Sequence, residues 1–346
     1  MKAWIVEGKY GIDALKIVEQ ETPKPRRGEV LLRVRAVSLN YRDLMFVEGR
    51  VNPEHPLPLS PLSDAAGEVA AVGEGVTRVK VGDRVAGHFS RWIGGRATSA
   101  SMFDATPGGL YDLSLGTSPH PGVLAEYVRF DAERVVRVPE HLSFEEASTL
   151  PITGVTAWHA LFVDAPVRAG DTVLVQGTGG VSVFAIQLAH AAGARVIVTS
   201  SSDQKLERAK KLGAHEGINY KSTPAWDTRA LELTGGAGVD IVVDVTGHEL
   251  GRSLNALRVG GQVSVVGALA GMSSQVDIYT MLQKKARLQG IFVGSRDWFE
   301  DLNRALALHQ LHPVVDRTYP FERAPEALLH LRDGQFFGKL VIKGLS

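Results

Sequence analysis

The 346-residue chain contains no cysteine. Disulfides, thiolate zinc sites and a cysteine nucleophile are therefore excluded. The chain also lacks a charge imbalance: 38 Lys and Arg face 38 Asp and Glu, for a formal net charge of +0 at pH 7. A nucleic-acid partner calls for a basic footprint, so this balance argues against one. No apolar run approaches the ~18 residues of a membrane span, which argues against a membrane partner. The opening MKAWIVEGKYG places charge where a signal peptide needs an unbroken apolar core, so a cytoplasmic location is expected. Internal repeats and low-complexity segments are also missing. What remains is a neutral chain long enough for two domains.

The most informative stretch is Asp171–Lys205, DTVLVQGTGGVSVFAIQLAHAAGARVIVTSSSDQK. Asp171 to Val175 is short, apolar and Val-rich, as a buried strand would be. Gly177, Gly179 and Gly180 follow, with Thr178 among them. Val181 to Ala192 is apolar all round, the pattern of a buried helix. Gly193 ends it in the usual way, and Arg195 to Val198 is a second β-branched run. Strand, glycine turn, helix and strand make a βαβ unit of dinucleotide type. Glycines let backbone approach a pyrophosphate, and the open N–H groups at a helix start face it. A tight turn in any α/β protein is the plainer alternative. Ser182 stands where a third glycine is usual, so helix and strand are expected to pack slightly further apart.

The second strand ends at Thr199, followed by Ser200, Ser201 and Ser202. An NAD site would place Asp or Glu near there, against the adenosine ribose. A carboxylate about 4 Å from a phosphate costs on the order of 4 kcal/mol at an effective dielectric of 20. Its absence favours NADP(H) over NAD, with Lys205 and Tyr220 as candidate partners of the 2′-phosphate. A solvated helix lysine and a strand-end aromatic are the plainer readings of that pair.

Around this unit, residues 1 to about 150 read as mostly β. Glu29 to Ser38 alternates like a half-buried strand. Gly67 to Gly73, Val81 to Val85 and the Val-rich Glu126 to Val138 also read as strands or a turn with a strand. Val51 to Pro61 holds four prolines, and Ser90 to Pro121 is a long Gly-, Ser- and Thr-rich loop. Phe144 to Leu150 starts a helix that Pro151 interrupts and Val155 to Phe162 resumes. Beyond Tyr220, helices are expected at Pro224 to Leu233, Glu249 to Leu257 and Trp298 to Leu308. Strands are expected at Val239 to Asp244, Gln262 to Val266 and Leu288 to Val293. The result is a six-stranded, doubly wound parallel sheet of α/β class.

Several pieces in order resemble the medium-chain dehydrogenase/reductase superfamily, in its zinc-free quinone oxidoreductase-like branch. They are Ser38-Leu39-Asn40-Tyr41-Arg42-Asp43, Gly67 with Val72 to Val76, Gly82 to Val85, and Gly122 with Ala125-Glu126-Tyr127. Thr153 to Ala157, the glycine turn and Phe337-Gly338-Lys339 complete the set. The resemblance implies a mostly-β GroES-like catalytic domain over 1–153, a Rossmann NADP-binding domain over 154–292, and a return to the catalytic domain over 293–346. It implies an active site in the cleft between them and a homodimer or tetramer, with the homodimer favoured because an edge strand near Leu288 to Phe292 could pair across a dimer. In the zinc alcohol dehydrogenases the metal ligands would fall at Asn40, Ser63 (beside Asp64) and Ile152, none a good zinc ligand. The four-cysteine structural zinc lobe would fall in Ser90 to Pro121. No metal is therefore expected, and His88 and His120 read as solvated loop histidines.

The chemistry follows from that departure. Reducing a ketone creates an alkoxide, whose charge zinc ordinarily stabilises. Hydride addition to a quinone or α,β-unsaturated carbonyl spreads the charge into a phenolate or enolate, which hydrogen-bond donors can stabilise. NADPH-dependent reduction of such a small molecule is the favoured reading. A zinc-free NADP-dependent alcohol dehydrogenase or carbonyl reductase is the alternative, and a non-enzymatic, crystallin-like cofactor binder the second alternative. Asn40 and Tyr41 are the candidate catalytic groups. The resemblance places Asn40 beside the nicotinamide, while its residue type equally suits a helix N-cap; for Tyr41 the plainer reading is a packed aromatic. Asp43 reads as a helix-end or salt-bridge residue. The resemblance assigns Thr156 to the nicotinamide face. Thr246, Gly267, Leu269, Phe292 and Val293 follow strands at the cofactor edge. Trp92, Tyr111 and His120 are candidates for the substrate pocket.

Overall fold

The computed structural model describes residues 1–344 except 52, 55, 98–114 and 117–120. Tyr111 and His120 lie outside the described residues. The chain divides into two compact units, Met1–Val155 with Gly294–Ser346, and Thr156–Val293.

In the first unit the strands are β1 (Lys2–Val6), β2 (Leu15–Glu19), β3 (Glu29–Ser38), β4 (Asp64–Val72), β5 (Arg84–Gly87), β6 (Tyr127–Asp131) and β7 (Val135–Arg137). The second unit carries β8 (Thr172–Gln176), β9 (Arg195–Ser200), β10 (Glu216–Asn219), β11 (Val239–Asp244), β12 (Leu257–Val265) and β13 (Arg287–Gly290). Strands β14 (Val315–Pro320) and β15 (Lys339–Lys343) return to the first unit.

The first unit is the GroES-like one. Its main sheet runs β14-β15-β3-β4-β5-β7, with β6 also paired to β3. Strand β3 is its spine, because its alternating residues Val30, Leu32, Val34 and Ala36 are fully buried and each buried aliphatic side chain is worth about 1.5–3 kcal/mol. Antiparallel register sets Ser38, the last residue of β3, against Asp64 on one side and Val341 on the other. Three strand ends thereby meet. The expected strand over Glu126 to Val138 is split in two by a 3-10 turn at Ala132–Arg134, whose N-cap Asp131 accepts from Glu133 N–H. The β1–β2 hairpin and the helix Ala324–Asp333 were not anticipated. Trp4 of β1 is tied into the core by donating to Phe321 O.

The second unit is a Rossmann fold with sheet order β10-β9-β8-β11-β12-β13, all neighbours parallel. The order reverses between β8 and β11, the switch point where such sheets bind ligands. Val173, Leu174 and Val175 of β8 are fully buried, which is why that strand reads as a continuous apolar run. Two expected boundaries move. β12 starts at Leu257, so Gly260-Gly261 lie within a strand instead of after a helix. β13 stops at Gly290, and Val293 adopts φ +44, a left-handed conformation that ends any strand. No helix among the described residues is long and apolar enough to cross a membrane.

Candidate active site

The meeting of β3, β4 and β15 produces a buried polar cluster in the first unit. Asn40 lies two residues past β3, as the N-cap of the helix Tyr41–Val47. Asp64 opens β4 and Lys339 opens β15. Gly338 precedes Lys339 with φ +84, and a Cβ there would lie 2.5 Å from Val314 O. Only glycine fits that turn, and the turn delivers the lysine. The fourth contribution is the π-helix Leu150–Gly154, with Pro151 near its start. Proline lacks the N–H that would continue an α-helical ladder, and π-turns recur at functional sites. This one brings Thr153 and the Ile152 amide to the cluster.

The bonding is dense. The Lys339 ammonium donates to Leu39 O at 2.6 Å, Asn40 Oδ1 at 2.6 Å and Thr153 Oγ1 at 3.0 Å. Thr153 donates to Asn40 Oδ1 at 3.2 Å, and Asn40 Nδ2 donates to Asp64 Oδ2 at 2.9 Å. The Ile152 amide also donates to Asp64 Oδ2, while Asp64 Oδ1 has no partner among the described residues. Behind Asn40, Asp43 accepts from the Asn40 amide, the Ser63 hydroxyl and Arg42. Burial pushes the Asp64 carboxyl up to about 7, against the pull of Lys339. Burial brings Lys339 down to about 8, against the pull of Asp64 and Asp43.

Of the two candidate catalytic groups, only Asn40 belongs to this cluster. Tyr41 is exposed and its hydroxyl accepts from Arg50 at 3.3 Å. Trp92 is buried, its ring 4.6 Å from that of Trp298. His88, expected as a solvated loop histidine, is instead fully buried. Its Nε2 pairs with Ser90 Oγ, and burial together with Arg134 drives its pKa down to about 3.

The second unit presents a dinucleotide-type edge. Gly177 has φ +73, and a Cβ on Gly179 would meet nothing within 4 Å. Gly179 is the N-cap of the helix Gly180–Ala191 and offers it no side-chain cap. Among the described residues the N–H groups of Gly180 and Val181 have no acceptor, as at an uncapped helix start, which is what an anion needs. Thr178 is buried beside them. Ser182 replaces the usual glycine without leaving a gap: its hydroxyl donates to Gln176 O at 2.7 Å and ties helix to strand. Thr156 Oγ1 is buried without a partner among the described residues, as a group meant for a bound molecule would be.

At the far end, β9–β10 pairing sets Asn219 against Ser200, and the Tyr220 amide donates to Ser200 O. Ser200, Ser201, Lys205 and Tyr220 are thus gathered at one corner. Ser202 caps the helix Asp203–Lys211 by accepting from Lys205 N. Asp203, not singled out in the sequence, accepts from Asn219 Nδ2 at 2.8 Å at the same corner. Thr246 is held by buried Asp244, which accepts from its hydroxyl and amide and from the Gly247 amide. Gln176 and Ser253 also donate to Asp244. Gly267 is needed because a Cβ would stand 2.7 Å from Val245 O. Leu269 is exposed, Phe292 half-buried, and the strained Val293 carbonyl lies 2.9 Å from His159 Nδ1.

Two family models match the chain: the alcohol dehydrogenase GroES-like domain over residues 26–140 and the zinc-binding dehydrogenase domain over residues 180–308. The chain belongs to the medium-chain dehydrogenase/reductase superfamily of oxidoreductases. It is 41% identical to the zinc-type alcohol dehydrogenase-like protein C1773.06c of Schizosaccharomyces pombe, across 96% of each chain. It is 29% identical to the quinone oxidoreductase of Sus scrofa, across 92% of this chain and 90% of that one. Among solved structures, an NAD-dependent alcohol dehydrogenase aligns with TM-score 0.88 and 34% identity, over 99% of this chain and 100% of that one. Mycobacterial Rv1454c complexed with NADPH aligns with TM-score 0.80 and 29% identity, again over 99% and 100%.

The zinc that such names imply does not suit the donors present. Asn40, Ser63 and Ile152 offer no thiolate and no imidazole, and zinc sites are built from Cys, His and carboxylates. Asp64 and Asp43 bring carboxylates beside them, but the Asp43 oxygens are taken by Asn40, Ser63 and Arg42, and the Lys339 ammonium projects into the same cluster. Among the described residues no three His, Asp or Glu side chains are grouped to hold a metal. The glycine turn, by contrast, fits a dinucleotide.

Proposed function

We propose that the chain is a zinc-independent, NADPH-dependent oxidoreductase that delivers hydride to a quinone or an α,β-unsaturated carbonyl. The observation that supports this reading is the buried Asn40–Lys339–Asp64 cluster, which includes Asn40, one of the positions where the family resemblance would put a zinc ligand. Bound NADPH supplies a hydride, with its two electrons, to an electrophilic carbon of the acceptor. For an enone the displaced π electrons settle on the carbonyl oxygen, and a solvent proton completes the product. The chain's part is to bind the dinucleotide and to offer a donor to that oxygen. The second unit holds the dinucleotide: Gly177, Thr178, Gly179, Gly180 and Val181 take the pyrophosphate, and Ser200, Ser201, Lys205 and Tyr220 the adenosine end. Thr156, Thr246, Gly267, Leu269, Phe292 and Val293 serve the nicotinamide end. In the first unit Asn40 supplies the donor, and an N–H at an oxyanion position is worth roughly 10²–10³ in rate.

The alcohol dehydrogenases among the relatives favour a second reading, a zinc-free NADP-dependent alcohol dehydrogenase or carbonyl reductase. A substrate panel separates the two. NADPH oxidation is followed with quinones, enones and simple ketones, and NADP reduction with alcohols. Turnover confined to quinones and enones supports the first reading; turnover of alcohols and ketones alone replaces it with the second. Binding of NADPH with no turnover of any member would leave the crystallin-like role. We further propose a homodimer through the sheet edge at β13, beside the exposed Ile278, Tyr279 and Leu282. Light scattering that gives a monomer mass would contradict it.

A further inference from the structure

The Asn40 carboxamide is gripped at both ends. Its oxygen accepts from an ammonium and a hydroxyl, and its nitrogen donates to a carboxylate. A flipped amide would set NH2 against the ammonium and oxygen against the carboxylate. The network therefore dictates one orientation. All three Lys339 hydrogens are committed, to Leu39 O, Asn40 Oδ1 and Thr153 Oγ1. None is left for a substrate. Asn40 Nδ2 carries two hydrogens and uses one, and the other has no partner among the described residues. Asn40 keeps 8% of its surface exposed, whereas Asp64 keeps none.

We infer that Lys339 is a positioning residue which, with Asp64, locks and polarises the Asn40 carboxamide so that its remaining Nδ2–H is the donor presented to a substrate oxygen. An ammonium at Oδ1 draws electron density toward that oxygen and leaves the amide nitrogen more positive. Its N–H then donates more strongly, because bonds in a connected network reinforce one another. The carboxylate at the other hydrogen fixes the plane of the amide. The cluster thus supplies an internal positive charge, relayed through one carboxamide. The inference rests on the proposed reductase function only for the identity of the acceptor oxygen.

The test compares wild type with Lys339→Met, Asn40→Ala and the pair together. Removing one member of a buried charge pair leaves the other uncompensated, so Lys339→Met/Asp64→Asn serves as a second variant that removes both charges. Three quantities are measured: the single-turnover rate of a p-quinone at saturating NADPH, NADPH affinity by fluorescence titration, and the ¹⁵N-labelled Asn40 side-chain amide. The expected loss for Lys339→Met is roughly 100-fold in the hydride step, with NADPH affinity unchanged. Asn40→Ala should lose as much, and the pair no more than either alone. The two Asn40 Nδ2 protons should be widely separated and slow to exchange in wild type, and in both Lys339 variants their shifts should move toward those of a free primary amide and their exchange should quicken. A Lys339→Met chain with undiminished rate, additive losses, or unaltered amide protons would overturn the inference. A wild type that binds NADPH but oxidises none with any acceptor removes the functional reading instead, and the amide protons then decide alone whether Lys339 locks Asn40.

Discussion

The Lys339 ammonium lies 2.6 Å from the carboxamide oxygen of Asn40, 299 residues earlier in the chain. The register of β15 and β4 on either side of β3 makes that meeting unavoidable. A lysine fully withdrawn from water is costly unless its hydrogens are all accepted. Here they are, and Asp43, joined by Asp64 above about pH 7, offsets its charge.

The Lys339–Asp64 pair makes stability depend on pH in a defined window. Burial raises Asp64 from 3.8 to about 7. Between those values the folded chain holds a proton that the unfolded chain has released, so this contribution falls as pH rises. Lys339, lowered from 10.5 to about 8, acts in the opposite direction: its cost is relieved as pH climbs from about 8 toward 10.5. In Asp64→Asn the first dependence is gone. The melting temperature of wild type minus that of the variant should decline from pH 4 to pH 7. A constant difference across that range would show that Asp64 is ionised throughout.

Space above the glycine turn gives a clean separation of folding from binding. Gly179 has negative φ and room for a side chain. Gly179→Val should therefore change stability by less than about 1 kcal/mol, as a substitution without a clash does. Its added carbons fill the volume a pyrophosphate would use, so NADPH binding should fall at least tenfold. Thermal melts and a fluorescence titration on the same sample check both halves. Undiminished NADPH binding would move the dinucleotide elsewhere.

At the adenosine corner, Lys205→Ala should weaken NADPH much more than NADH. A hydrogen bond to a charged group is worth about 1.5–3 kcal/mol, or roughly 10- to 100-fold in affinity. Equal losses for both cofactors would mean that Lys205 does not touch a 2′-phosphate. Asp203 stands at the same corner, so Asp203→Asn should raise the NADPH preference further.

Gly267 is a steric requirement. Adding a Cβ 2.7 Å from Val245 O forces the β11 and β12 loops apart. Gly267→Ala should cost about 1–3 kcal/mol, measured by urea unfolding. A variant as stable as wild type would mean that the loops separate freely.

Much of the fold was legible because single stretches carried it. The βαβ unit at Asp171–Lys205 announced itself through period, glycines and a buried helix; five strands of its sheet were anticipated by range, and β10 only through Tyr220 as a strand-end aromatic. The β1–β2 hairpin was missed because Lys2–Val6 and Leu15–Glu19 are short and carry Lys and Glu at exposed positions. The end of β13 was misplaced because Val293 is β-branched, a strand signal, yet is held with positive φ. The polar cluster was half legible. Asn40 stood in a recognisable motif, but Asp64 and Lys339 acquire meaning only from strand register. Their signal was present nonetheless: a charged residue at the first position of a strand, followed by an apolar run, as in Lys339-Leu340-Val341-Ile342. Buried Asp244 closes β11 in the same way.

The central claim, hydride transfer from NADPH with protein donors in place of a metal, meets its most direct test in one assay. Protein stripped of metal, with zinc content verified by elemental analysis, is mixed with NADPH and a quinone, and NADPH absorbance is followed with and without added zinc. Full turnover is expected in the stripped protein, with no gain from zinc. A stripped protein that is inert until zinc is restored would contradict that claim.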